Sequence, residues 1–346
     1  MAESLKKVKH LKLLSTIEPD VSLVPGIYLK LRGDKMEDYE LMLNAYKTAG
    51  GTPSVFNNLE IANLLVHNNR ILGSNSVPGL VLTSKETNEG VDIDLTIKEG
   101  CKIINPVHLC FGVLPKEGSQ VINIREKSEP NSVVKILAHC VFPNAIKVEH
   151  IMEANFEIEE NASFEYTEVH YHGLSGGVKV VPHAKVKVKN NGRFLATFSL
   201  LHGRVGELDI DYEVLVDEYG IMELLAKVYG YGEDKIKIKE TGILKGSSSR
   251  GLIKSRIAVR DKAQSEVVSE LTAHAPGARG HVDCIEIIQG EAKAKAIPIV
   301  YVTDSLAKIT HEAAIGSVDK KQVETLMARG LKEDKAIDIV ISGILK

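Results

Sequence analysis

The chain has 346 residues, 44% hydrophobic and 26% charged, with a formal net charge of −3. That composition belongs to a soluble globular protein of one large or two ordinary domains, with no global field to draw in nucleic acid. Trp is absent and aromatics are only 5%, so stacking platforms for single-stranded nucleic acid are scarce. Basic runs such as "SLKKVKH" (4–10) and "DKIKIKE" (234–240) read as solvated faces.

The N-terminus lacks the continuous apolar core of a signal peptide, and no apolar run approaches the ~20 residues of a membrane helix. A cytoplasmic protein with no membrane partner is therefore expected. Four cysteines, Cys101, Cys110, Cys140 and Cys284, lie far apart without a C-x-x-C. They read as free thiols and form no structural zinc motif.

Three zones follow along the chain. Residues 1–75 are expected to be a helical N-terminal region. Asp34 is an N-cap candidate with Glu37 three residues on, a capping box. Tyr39, Met42, Leu43 and Tyr46 then recur at helical spacing until Gly50-Gly51 stops the helix, and Ile61, Leu64 and Leu65 suggest a second stripe.

Residues 76–308 change period. Ala184, Val186 and Val188 alternate with lysines, Asn191-Gly192 marks a turn, and Phe194, Ala196, Phe198 and Leu200 alternate again. Period two means one buried and one wet face per strand. Many short strands in this zone call for a sandwich, a barrel or a β-solenoid, and with no clean sequence repeat periodicity does not choose among them.

Residues 309–346 read as two C-terminal helices. Asp319 caps the first, Val323, Leu326 and Met327 form its stripe, and Gly330 ends it. The last carries Ile337, Val340, Ile341 and Ile344. Helices this short must pack on the β zone or on another protein.

The sequence has no phosphate loop, no G-x-G-x-x-G after a strand, no G-x-S-x-G and no H-E-x-x-H. "GILKGSSSRG" (242–251) reads as a turn. Three features remain. Cys284 in "HVDCIEII" shares strand parity with Val282 and Ile288, as a buried small hydrophobe also would. His311 and Glu312 stand side by side ahead of the capped helix, two ligands or a solvated polar pair. In "FEYTEVHYHG", Glu168, His170 and His172 share parity with Phe164 and Tyr166. If the aromatics point inward, so do three polar groups, which must then be paired or line a polar interior.

The run from about 242 to 331 resembles the SufB/SufD family, scaffolds of Suf-type iron–sulfur cluster assembly. "ETGILKGSSSRGLIKSRIAVRDKAQS" looks like the family's strand–turn–strand, and "ARGHVDCIEII" like its cysteine-bearing strand. "KITHEAAIGSVDKKQVETLMARGL" is similar to its most recognisable signature, and a weaker likeness ("INPVHLCFGVL", "SFEYTEVHY") reaches back to about residue 104. The resemblance implies a mainly β fold, a right-handed parallel β-helix flanked by helical terminal regions. It implies dimerisation through the β-helix and a SufC-like ABC ATPase partner bound by the C-terminal helices.

It also implies that Cys284, His311 and Glu312 hold a transient iron–sulfur cluster near the dimer interface. Thiolate is the soft ligand such clusters use, imidazole replaces some thiolates, and carboxylate suits ferrous iron. With one such cysteine per chain, a shared site across a homodimer is expected. The chain departs from the signature at Ala314, where the family has threonine, and at Thr325-Leu326, where it has an aromatic pair. His170 stands where the SufB branch commonly has a cysteine thought to receive sulfur. Either sulfur arrives elsewhere, or His170 has another task, or the segments are out of register.

The expectation is thus a scaffold rather than an enzyme, with ATP hydrolysis supplied by the partner ATPase and with a sulfur donor and recipient apoproteins as further partners. A β-helix carbohydrate-active enzyme using paired carboxylates and a purely structural, SufD-like dimerisation subunit are the alternatives.

Overall fold

The computed structural model describes residues 34–345. Helix α1 (Asp34–Thr48) and a 3-10 turn (Pro53–Asn57) lead into two antiparallel pairs, β1 (Asn63–His67) with β2 (Arg70–Asn75) and β3 (Leu80–Glu86) with β4 (Gly90–Ile97). The chain then coils. Strands β5 (Val107–Gly112), β6 (Glu117–Ser128), β7 (Val133–Phe142), β8 (Lys147–Ile158), β9 (Ser163–His172) and β10 (Val178–Val188) make its first rungs. Strands β11 (Arg193–His202), β12 (Glu207–Val216), β13 (Ile221–Gly230), β14 (Lys235–Leu244), β15 (Arg250–Asp261) and β16 (Gln264–Ala273) continue it. The last rungs are β17 (Arg279–Gly290), β18 (Lys293–Val302) and β19 (Lys308–Gly316), followed by helices α2 (Lys320–Met327) and α3 (Glu333–Ile344).

From β5 onward, odd strands pair in parallel with odd strands and even with even, giving a ten-stranded and a nine-stranded sheet. The result is a parallel β-solenoid of about 8 turns, with 58% of the described residues in strands. The period-two alternation has its cause here: on each strand one set of side chains fills the space between the sheets and the other faces out. Phe156, Phe164 and Phe194 pack together inside, with Phe164 stacked on Phe194 at 5.8 Å.

A repeat is present in backbone conformation. Asn131, Asn161, Asn191, Tyr219 and Ser248 all have φ between 55° and 61°, the left-handed region. Each donates its amide to a carbonyl one turn further on, Asn131 to Glu160 and Asn161 to Asn190, both at 3.0 Å. Asparagine tolerates this conformation better than most residues. On the outer face of the nine-stranded sheet, lysines meet acids one rung away, as in Lys179–Glu149 and Lys295–Glu266. The run Lys235, Lys237, Lys239 faces Glu207, Asp209 and Asp211, each exposed pair contributing about 0.2–1 kcal/mol. The basic run 4–10 lies outside the described residues.

Both helical regions lie on the outer face of the ten-stranded sheet. Met42 and Tyr46 of α1 pack on Leu65, Cys110 and Val141, and Gly50, with φ 92°, follows the helix end. The capping box rests on Asp34, whose side chain lies outside the described residues. Ile337, Val340 and Ile341 of α3 pack on Ala258 and Ile287, so most of that stripe is covered by the chain itself. The Asp319 carboxylate accepts from the amides of Lys321 and Gln322, capping α2.

Two expected boundaries move. Leu64 and Leu65 belong to β1 rather than to a second helix, so strands begin at Asn63. Leu64 faces the interior core and Leu65 lies under α1, and a strand buried on both faces shows no alternation. At the other end His311 and Glu312 lie within β19, so strand structure runs on to Gly316 before the helices begin.

Candidate functional site

Cys284 points into the solenoid from β17 and is fully buried. Its Sγ is 3.5 Å from Ser269 Oγ, and Ser255 occupies the neighbouring rung of the same sheet. Burial pushes the thiol up, while the nearby hydroxyls of Ser255 and Ser269 oppose that. On β19, His311 stands opposite Val282, Glu312 opposite Asp283 and Ala313 opposite Cys284. Parallel neighbours share a face, so His311 lies on the face of Cys284 and Glu312 on the opposite one with Asp283. Within one chain the three expected ligands therefore do not converge. Both His311 and Glu312 are exposed, because β18 and β19 are the last strands of their sheets.

A second cluster lies deeper. Cys140 (β7), Glu168 and His170 (β9) each offer a ligand atom, all within 4.8 Å of one another, and all three residues are buried. His170 Nε2 is 2.6 Å from Glu168 Oε1, and Cys140 Sγ is 3.9 Å from the same oxygen. His170 Nδ1 meets His172 Nε2 at 3.2 Å, and His172 Nδ1 meets the Arg204 carbonyl at 3.0 Å. His150 approaches from β8, its ring 6.0 Å from that of His170. Phe142 and Phe198 wall the chamber, their rings 5.1 Å from His150 and 4.9 Å from His170. Burial pushes His150, His170 and His172 down to about 3 and Glu168 up to about 6, since charge in an apolar chamber loses its hydration. Burial, and then Glu168, hold the Cys140 thiol well above its ordinary value.

The parity of Glu168, His170 and His172 with Phe164 and Tyr166 is realised, with all five inside. Sequence reasoning missed Cys140 and His150, which only the stacking of turns brings to that segment: Cys140 is the register partner of His170. It also missed a file of polar groups between the clusters. Tyr212, Glu240 and Ser269 are successive register partners on β12, β14 and β16, and all are buried. Glu168 acts on Tyr212 from one side and Glu240 from the other, and Ser269 reaches Cys284.

Comparison with known proteins assigns this architecture. The family model described as SUF system FeS cluster assembly, SufBD core domain, matches residues 120–344. The chain belongs to the SufBD family. An iron-sulfur cluster assembly SufBD family protein of Methanocaldococcus jannaschii is 39% identical over 282 residues, covering 82% of this chain and 89% of its own. One from Pyrococcus horikoshii is 33% identical, covering 92% and 96%. A second from that organism is 28% identical over 73% of this chain and 57% of its own. SufBD membership implies a role in iron–sulfur cluster assembly, and the matched region contains both clusters. No helix among the described residues is long and apolar enough to cross a membrane.

Proposed function

We propose that this SufBD protein is a cytoplasmic scaffold, itself no enzyme, on which a transient iron–sulfur cluster is built between two copies of the chain. Cys284 supplies the soft ligand, and His311 and Glu312 complete the set across the interface. The observation that carries this reading is the uncovered last rung. Strands β18 and β19 end their sheets, and Ile299, Val300, Tyr301, Val302 and Ile315 are exposed there. An apolar open edge next to His311 is a natural seat for a second copy, since a two-fold axis lets one patch serve both. Glu312 faces away from Cys284 of its own chain, which suits a ligand offered to the partner.

A SufC-like ABC ATPase docks on α2 and α3. Met327, Ile339 and Ile344 remain exposed beside a groove lined by Gln322, Thr325 and Leu326. The sequence contains no phosphate loop of its own. Only Ser317, Val318 and Asp319 separate β19 from α2, so movement of the helices is passed directly to His311 and Glu312. The interior polar file leading to Cys284 is the path for sulfur from a donor, with His170 near its far end.

Cluster transfer tests the proposal. The purified chain with its ATPase, given ferric iron, a thiol reductant and sulfide anaerobically, is expected to load a cluster and pass it to an apo-ferredoxin. A chain that takes up no iron and leaves the acceptor colourless contradicts it.

A further inference from the structure

The buried cluster on β7 and β9 lies several rungs from the last rung, and its hydrogen bonding fixes where its protons are. The Arg204 carbonyl only accepts, so His172 Nδ1, 3.0 Å away, carries the proton. In a neutral ring His172 Nε2 is then bare, and its contact with His170 Nδ1 at 3.2 Å requires the proton on His170 Nδ1. That leaves His170 Nε2 as a bare lone pair, 2.6 Å from Glu168 Oε1. Two acceptors at that distance need a proton or a cation between them.

Three further observations point to the cation. Cys140 Sγ faces the same carboxylate oxygen at 3.9 Å, giving sulfur, oxygen and nitrogen donors around one point. His150 is 1% exposed and neither ring nitrogen has a partner. Glu168 Oε2 is unpartnered as well. A buried polar group left without a partner loses its hydration with nothing in exchange.

We propose that Cys140, Glu168 and His170 form a mononuclear site for a divalent first-row transition cation, zinc or ferrous iron, inside the solenoid, with His150 as a fourth donor. Cation binding displaces the shared proton and the Cys140 proton to solvent. The His172–Arg204 relay is the outer shell that holds the His170 ring with Nε2 toward the ion. Tetrahedral ligation at metal–ligand distances of about 2.0–2.3 Å requires the 2.6 Å contact to open by under about 1 Å. A mixed thiolate, imidazole and carboxylate set suits zinc or ferrous iron and disfavours magnesium or calcium.

The test uses the full-length chain, produced in cells supplemented with zinc, iron or cobalt so that the ion is present while the solenoid closes. After chelator washing and gel filtration, one ion per chain is expected, and the cobalt form should show a sulfur-to-cobalt charge-transfer band. Cys140→Ser should lose that band. Glu168→Gln keeps a hydrogen bond, because its amide N–H replaces the acid O–H toward His170 Nε2. It should therefore fold, melt cooperatively and retain roughly tenfold less metal or worse. Cys284→Ser should keep the ion, which separates this site from cluster assembly on the last rung. A wild-type chain that emerges without metal overturns the proposal. So does a cobalt band that survives Cys140→Ser but disappears in Cys284→Ser. Should Glu168→Gln fail to fold, the comparison of the wild-type and Cys140→Ser cobalt spectra decides.

Discussion

Cys140 and His170 occupy the same register position on consecutive rungs of one sheet, thirty residues apart in sequence. The spacing is kept by the turns that follow β6, β8 and β10, where Asn131, Asn161 and Asn191 adopt a left-handed conformation and tie each turn to the next. A one-residue slip in this ladder would send the ligands to the outer face, because side chains alternate with period two.

The ladder makes a stability prediction. At Asn161, with φ 58°, glycine should be tolerated, while a β-branched side chain should not. Asn161→Gly is expected to unfold within about 0.5 kcal/mol of the wild type and Asn161→Val to lose about 1–2 kcal/mol. Urea denaturation measures both, and equal loss would mean that the turn conformation is not the constraint.

The interior carboxylates make a pH prediction. Burial pushes Glu126 and Glu240 up to about 8 from 4.5. A folded value above the unfolded one gives stability that is complete below pH 4.5 and lost as pH rises toward 8. The histidines have the opposite sign. His150, His170 and His172, pushed down to about 3 from 6.5, contribute stability above pH 6.5 that is lost as pH falls toward 3. Glu126→Gln and Glu240→Gln should each add on the order of 2 kcal/mol at pH 8 and almost nothing at pH 4. Melting curves at the two pH values give the answer, and a gain of equal size at both would contradict buried, protonated carboxyls.

The open edge predicts association. Tyr301 is 57% exposed on β18, so Tyr301→Asp should leave the fold intact and shift the chain from dimer to monomer in light scattering. A wild-type chain that is monomeric at every concentration would remove the shared site from the account.

The C-terminal helices separate docking from core. Met327 and Ile339 are exposed, whereas Ile341 is fully buried. Met327→Asp and Ile339→Asp are expected to abolish ATPase binding with unfolding midpoints near those of the wild type. Ile341→Asp should release α3 from Ala258 and Ile287 and lower the midpoint itself. His311→Ala should keep ATPase binding and lose the cluster. Calorimetric titration of the ATPase into each variant checks this, and full binding by Met327→Asp would place the ATPase elsewhere.

Much of this was legible from local pattern. Alternation marked the strands, and the parity of Glu168, His170 and His172 with Phe164 and Tyr166 put the three polar groups on the aromatics' face, which the structure shows to be the inner one. The turns were not, because the ladder is kept by conformation in residues as different as Asn161, Tyr219 and Ser248. Without that period, nothing in the sequence joins Cys140 to His170 or Tyr212 to Glu240. The stretch around His311 misled for another reason. "HEAAIG" is rich in small residues and reads as the approach to a helix, yet it pairs with β17 along its length. Once it is a strand, adjacent His311 and Glu312 must face opposite ways.

Whether Cys284 anchors a cluster on the last rung is read by Mössbauer spectroscopy of the full-length chain after anaerobic reconstitution with iron-57 and sulfide. Cluster-type iron is expected in the wild type and in Cys101→Ser and Cys110→Ser, and not in Cys284→Ser. Undiminished cluster iron in Cys284→Ser would contradict it.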